Sequence, residues 1–312
     1  MKALVTGVAG FIGSTLAERL CAQGADVVGL DSFADYYPRA IKERNLSGLK
    51  GHRAFRFVES SIRDADLHRL LADRTHVFHL AAQAGVRKSW GRDFAVYTMN
   101  NIEASQVLLE ACTEHALDRI VYASSSSVYG DSVALPMRED ALPQPVSPYG
   151  VTKLAAEQLC YLYHANHGLR TVSLRYFTVY GPRQRPDMAF HRFLCATIRD
   201  EAITVYGDGD QTRDFTYVAD AVSATVAAGS MGVPGRVYNI GGGSRISINA
   251  VLDLIGRVSG RRPRIIADPK QQGDMRHTYA ETSRARHDLG FEPAVTLEEG
   301  LAAEYRWLMD TL

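Results

Sequence analysis

No run of about 18 apolar residues occurs in this 312-residue chain, so no segment reads as a membrane-spanning helix. Net charge is missing too: 35 basic side chains balance 35 acidic ones. That balance argues against bulk attraction to nucleic acid or to an anionic membrane. It leaves local basic groups free to hold a small anion. Cysteine is sparse and scattered at Cys21, Cys112, Cys160 and Cys195, with no Cys-x-x-Cys and no histidine cluster nearby. No metal site is therefore expected. Three of the four sit in helix-like apolar patterns and read as buried free thiols, which suits a reducing cytoplasm. Internal repeats and low-complexity linkers are also absent. The opening Met1-Lys2-Ala3-Leu4-Val5-Thr6-Gly7 lacks the layout of a signal peptide and reads as a first strand.

What is present is a hydrophobic content of 46%, enough for a large core in one domain or two closely joined ones. Short β-branched runs predict strands at Ala3–Thr6, Asp26–Leu30, Ala54–Glu59, His76–Leu80, Arg119–Ala123 and Thr171–Arg175. Helical patterns fall between them, as at Ser14–Gln23, Ala65–Leu71 and Ile102–His115. This alternation predicts an α/β fold, a doubly wound parallel sheet with helices on both faces. Ligands of such sheets bind beyond the carboxyl ends of the strands. Past residue 175 the rhythm changes, and Gly181-Pro182, Gly207-Asp208 and Gly209-Asp210 mark loops. We read residues 1–175 as a nucleotide-binding domain, rejoined by about 214–242, where Arg236–Ile240 looks like a returning strand. Residues 176–213 and 243–312 then form a smaller, mostly helical substrate-binding domain.

Gly7, Gly10 and Gly13 follow the first strand directly and precede a helix. Glycines there permit a tight turn and let backbone approach a pyrophosphate, while the helix N-terminus offers free N–H groups. Asp31 ends the second strand, where a carboxylate accepts hydrogen bonds from ribose hydroxyls and repels a 2′-phosphate. NAD is favoured over NADP. The fifth strand runs into Ser124-Ser125-Ser126-Ser127-Val128-Tyr129-Gly130, and Tyr149-Gly150-Val151-Thr152-Lys153 follows. At i and i+4 of a helix Tyr149 and Lys153 share a face. An ammonium beside a phenol favours the phenolate, so Tyr149 is expected to have a lowered pKa and to act as a general base.

The order of these motifs resembles the extended short-chain dehydrogenases, a group of NAD-dependent nucleotide-sugar epimerases, dehydratases and decarboxylases, over essentially the whole chain. The resemblance implies a Rossmann fold with Tyr149 as base, Lys153 as its activator and ribose ligand, and Ser125 as hydroxyl partner. The choice among Ser125, Ser126 and Ser127 stays open. It also implies a cofactor site of Gly7, Gly10, Phe11, Ile12, Gly13, Asp31, Ser32, Ser61, Ile62, Leu80, Ala81, Ala82, Gln83, Tyr149, Lys153 and Tyr176. Ser61 is a departure, since the family usually has Asp there to meet adenine; Ile62 backbone and Arg63 are left to do so. Asn101 either positions the nucleotide sugar or caps its helix. Two long helices, about Asp93–His115 and Tyr149–His167, often pair across a dimer axis in this family. A homodimer is expected, with Leu108, Leu109, Leu154 and Leu162 serving that interface or the core.

In related dehydratases and decarboxylases carboxylates follow the catalytic Ser or Thr. Here Ser126 and Ser127 take those places, which removes the acid or base that elimination needs and favours epimerisation through a 4-keto sugar with tightly held NAD. Further segments look like the UDP-glucuronate 4-epimerases: Asp31-Ser32-Phe33-Ala34-Asp35-Tyr36-Tyr37, then Ile41-Lys42-Glu43-Arg44; His79 through Arg87; and Arg175 through Pro182, continuing over Arg185-Pro186-Asp187-Met188-Ala189. An arginine and a hydroxyl suit a sugar carboxylate, which assigns Arg185 and Thr178 to it. The stretch Thr204, Tyr206 to Phe215 resembles a UDP-binding segment, with Arg213 on the diphosphate, Asp274 near the uridine ribose and Arg276 adding charge. Arg87 is a candidate for either phosphate or carboxylate. The rivals are a 4-epimerase of UDP-glucose or UDP-N-acetylglucosamine, a UDP-glucuronate decarboxylase, and a non-catalytic NAD-binding regulator.

Overall fold

The computed structural model describes residues 1–131, 133–269 and 272–312. Their strands are, in chain order, β1 Lys2–Thr6, β2 Asp26–Asp31, β3 Phe55–Glu59, β4 His76–His79, β5 Arg119–Ser125, β6 Thr171–Tyr176, β7 Thr178–Tyr180, β8 Ala202–Tyr206, β9 Thr212–Tyr217, β10 Val237–Ile240, β11 Arg245–Ser247 and β12 Arg264–Asp268. Seven of them form one sheet in the order β10-β6-β5-β4-β1-β2-β3, parallel throughout. Each β-branched run singled out in the sequence lies in this sheet.

Alternation along the strands feeds two cores. Val5, Phe78, Val121 and Leu174 pack with Leu16 of the helix Phe11–Ala22 and Ala221 of the helix Val218–Met231. Their neighbours Leu4, Val77 and Ile120 point the other way, onto Leu108 of the helix Ala104–Cys112 and Cys160 of the helix Pro148–His167. Strand order reverses at β1, whose partners are β2 on one side and β4 on the other. A crevice opens at their carboxyl ends, as the topology demands.

The remaining elements build a third core from Phe190, Leu194, Phe215, Val251 and Leu301. Here the structure adds what the sequence hides. Strands β11, β9 and β7 form a small sheet and β12 pairs with β8; β7 and β11 are only three residues long, too short for a period to register. The expected helix across Ile102–His115 begins earlier, as Phe94–Tyr97 and a π-helical turn Thr98–Glu103. Leu108 and Leu109 are core residues, whereas Leu162 is exposed. All four cysteines are buried free thiols. Among the described residues no helix is long and apolar enough to cross a membrane.

Asp214 of β9 is fully buried. Its Oδ2 accepts the Ala280 N–H at 3.0 Å, and the N–H groups of Gly242 and Gly243 also face the carboxylate. Burial still outweighs these bonds and pushes its pKa up to about 6. A folded value above the unfolded one of roughly 3.9 gives stability that is full below about pH 4 and lost as pH rises through 6. Asp214→Asn should therefore gain on the parent by about 2–3 kcal/mol between pH 4 and pH 7. Urea unfolding at both pH values checks this, and a pH-independent difference would refute it.

Candidate active site

The crevice is an open cleft walled by the chain after β4 and the start of the helix Pro148–His167. Its floor is the turn after β1. Gly7 has φ +71°, and a Cβ there would lie 2.7 Å from the Ala81 nitrogen. A Cβ on Gly13 would stand 2.2 Å from the Gly7 carbonyl oxygen. Turn, helix and the chain after β4 thus meet backbone to backbone. Gly10 caps the helix Phe11–Ala22 without any side-chain hydrogen bond, so the first N–H groups remain directed at the cleft. Asp31 accepts from Ala9 N through Oδ2 at 3.0 Å and from Phe33 N through Oδ1 at 2.8 Å. Each oxygen keeps capacity for a further donor. Burial raises the Asp31 pKa, against those two bonds and the charge of Lys42. A dinucleotide fits this cradle: an open helix N-terminus for pyrophosphate and a fixed carboxylate for ribose.

Every residue that the sequence assigns to the cofactor borders this one cleft, and Arg185 borders it too. Ser61 does so with its hydroxyl already given to Asp64. Arg63, also on the wall, pairs with Glu103 at 3.3 Å. Asn101 is neither a cap nor a cleft residue. It is buried in the π-helical turn, accepts from Gln83 N at 2.7 Å, and donates to Gln83 O at 3.0 Å and Thr152 Oγ1 at 2.9 Å. It fixes the Leu80–Gln83 wall to the helix that carries Tyr149. Lys42, Tyr36, Tyr37 and Ser124 also line the cleft. Sequence reasoning had quoted Tyr36, Tyr37 and Lys42 only as part of a resemblance, with no physical signal for a role.

The helix Pro148–His167 starts where Ser147 accepts the Gly150 N–H at 3.1 Å, with proline at its first position. That start sets Tyr149 and Lys153 one turn apart. The Ser125 hydroxyl faces Tyr149 and lowers its pKa, and it accepts from Ser127 N at 3.1 Å. Ser126 is buried. Ser124 instead donates to Glu157 Oε2 at 2.6 Å, beneath the site, where Arg175 clamps the same carboxylate. One expectation needs correcting. Tyr149 is not lowered by Lys153: burial raises its pKa, opposed by the Arg185 charge and the Ser125 hydrogen bond. Burial also pulls Lys153 down to about 7, because the ammonium lies against the Tyr122 ring, 4.4 Å from its centroid, rather than in water.

Farther along the loop after β4 is a second cluster. Arg87 pairs with Asp274 at 2.8 Å and stacks 4.1 Å from the Tyr206 ring centroid. Arg276 forms a fork with Asp208, both bonds 2.8 Å. Arg213 donates to the carbonyls of Thr212 at 3.0 Å and Arg276 at 3.3 Å. Burial, Arg87 and Arg276 hold its pKa below the ordinary value despite Asp274 and Asp131. This is a place that an added anion would stabilise. Thr178 opens β7 and is half-buried. Thr204 lines a separate hollow with Arg192 and His191.

Residues 3–241 match the NAD dependent epimerase/dehydratase family. The chain belongs to that family. It is 44% identical to the uncharacterized UDP-glucose epimerase YtcB of Bacillus subtilis, across 99% of this chain and 98% of that protein. It is 37% identical to a UDP-glucuronate 4-epimerase of Thermodesulfobacterium geofontis, across 99% and 96%. Among solved structures it resembles the UDP-glucuronic acid 4-epimerase of Bacillus cereus in complex with UDP-glucuronic acid and NAD, with 45% identity, a TM-score of 0.98 and full coverage of both chains. The Rossmann sheet of this member of the family is thus shared with that structure.

Proposed function

We propose that this chain interconverts UDP-glucuronic acid and UDP-galacturonic acid at C4. It is an NAD-dependent nucleotide-sugar 4-epimerase. The observation that carries the choice of sugar is Arg185, whose guanidinium borders the cofactor cleft and reaches Tyr149 electrostatically. A neutral sugar offers that cation hydroxyl acceptors but no charge. A C6 carboxylate pairs with it through charge-assisted hydrogen bonds.

In this reading residues 1–175 with 214–242 hold the cofactor, and 176–213 with 243–312 hold the nucleotide sugar. When bound, NAD supplies reversible oxidation of the sugar at C4. Tyr149 takes the 4-hydroxyl proton and later returns it, and Ser125 holds the same oxygen. Lys153 binds ribose. Arg213, Arg87 and Arg276 neutralise the diphosphate, with Tyr206 beside the uridine and Asp274 near its ribose. Tethering by the nucleotide lets the 4-keto sugar present its other face. Ser126 and Ser127 put no carboxylate beside it, so no side chain there drives elimination or loss of the sugar acid.

The test is to incubate the purified protein with UDP-glucuronic acid, adding no cofactor, and to follow the sugar by proton NMR. A mixture of the two UDP-uronic acids supports the reaction and retained NAD together. A UDP-pentose would mean decarboxylation. No change, also after adding NAD, would send the search to UDP-glucose, the reading that likeness to YtcB favours.

Arg185 gives a further expectation. The C6 carboxylate is β to the C4 ketone, and β-keto acids lose CO2 when the breaking bond aligns with the carbonyl π system. Arg185 and Thr178 hold it out of that alignment. Arg185→His should cut kcat/KM for UDP-glucuronate by about 100-fold, the loss of one charged, bidentate contact, and release CO2. Unchanged kinetics without CO2 would refute this role.

A further inference from the structure

Arg185 is already paired before any sugar arrives. Its Nε donates to Asp187 Oδ1 and its Nη2 to Asp187 Oδ2, both at 3.0 Å. This bidentate fork is the geometry that a sugar carboxylate would seek. Asp187 Oδ2 also accepts the Tyr36 hydroxyl at 3.2 Å. Tyr36 comes from the loop after β2 and is pinned by the loop after β4: a Cβ on Gly85 would lie 2.1 Å from its hydroxyl oxygen. The Arg185 and Lys88 charges sit 5.9 and 5.0 Å from its ring centroid. Three loops from two parts of the fold thus close on one carboxylate. Burial alone would raise the Asp187 pKa, but the Arg185 charge and hydrogen bonds hold it below the ordinary value. Among the described residues, Arg185 Nη1 makes no hydrogen bond to protein.

We propose that Asp187 is a specificity-determining residue, an internal counter-ion that occupies the Arg185 fork and narrows the preference for acidic over neutral UDP-sugars. The proposal rests on the reading of Arg185 as the partner of the C6 carboxylate. Without Asp187, a neutral sugar would seal a guanidinium into the cleft with no counter-charge, which is heavily unfavourable. With Asp187, that penalty is gone before binding. An acidic sugar meets the opposite balance. Its carboxylate must share one guanidinium with Asp187, using Nη1 and the remaining Nη2 proton, and the two carboxylates repel. Asp187 therefore makes neutral sugars more acceptable and acidic ones less tightly held than a lone arginine would.

The measurement is calorimetric binding of UDP-glucuronate and UDP-glucose to the NAD-loaded protein, for the parent, Asp187→Asn, Asp187→Glu and Arg185→Met. Affinity is the better readout than turnover because the Asp187 charge also reaches Tyr149. The Asn variant should raise the affinity ratio, glucuronate over glucose, by about 10-fold or more, through tighter acidic and weaker neutral binding. The Glu variant should return the ratio toward the parent. Asp187→Asn placed on Arg185→Met should leave the ratio where Arg185→Met alone puts it. A ratio that stays level or falls in Asp187→Asn, including equal losses on both sugars, overturns the proposal and leaves Asp187 a structural tether for Tyr36. A parent that binds UDP-glucose but ignores UDP-glucuronate overturns the reading of Arg185, and this proposal with it.

Discussion

Tyr149→Phe is expected to lower kcat by about 1000-fold while NAD stays bound. Removing a positioned acid–base group costs about 100- to 10,000-fold, and 1000-fold corresponds to about 4 kcal/mol of barrier. The substitution is clean in this fold. The ring packs edge-on against Tyr97, with centroids 6.2 Å apart, and phenylalanine keeps that contact. Only the hydroxyl, which faces Ser125, is lost. The pH dependence carries a second part of the expectation. Burial raises the Tyr149 pKa, so its proton-accepting form grows as pH rises. The parent rate should climb with pH through neutrality, and the residual rate of the phenylalanine variant should not share that limb. Rapid-quench turnover of UDP-glucuronate from pH 6 to 9 reads both quantities. A variant with near-parent kcat would remove Tyr149 from the chemistry.

The sheet and the cofactor turn were legible for one reason: their signals are local. β-branched runs of five or six residues, glycines three apart after the first strand, and a tyrosine four residues before a lysine are written within a single element. What stayed hidden depends on burial or on the meeting of distant loops. The raised pKa of Tyr149 follows from solvent exclusion, and the i,i+4 spacing taken alone predicted the opposite sign. Asn101 reads in sequence as a sugar-positioning residue or a cap because it opens a helical pattern, yet its amide spans from the Gln83 backbone to Thr152. Asp187 lies two residues from an arginine that drew attention, but its partner Tyr36 is 151 positions away. Nothing in the spacing of either residue announces the other.

Gly13 tests whether the glycine turn acts through shape alone. Gly13→Ala adds one methyl group that would stand 2.2 Å from the Gly7 oxygen and 2.9 Å from its carbonyl carbon. Both neighbours are backbone, and Gly7 has little room to retreat, because the Ala81 backbone stands behind it, so close that a Cβ built on Gly7 would lie 2.7 Å from the Ala81 nitrogen. The strain must be relieved by moving the start of the helix Phe11–Ala22 away from the turn, which is where the pyrophosphate needs its N–H groups. We expect the variant to fold and to retain NAD about 100-fold less tightly, a loss of about 3 kcal/mol, with activity falling in step and recovering in part at high added NAD. Gly24→Ala is the control. Its φ of +82° carries a backbone penalty that helical Gly13 does not, but a Cβ there meets nothing within 4 Å, so it should cost about 1–2 kcal/mol of stability and no cofactor. Assay of NAD released on denaturation separates the two. If Gly13→Ala keeps a full complement of NAD, the close approach of turn and helix is a packing feature, and the dinucleotide is held elsewhere, by Asp31 and the Leu80–Gln83 wall.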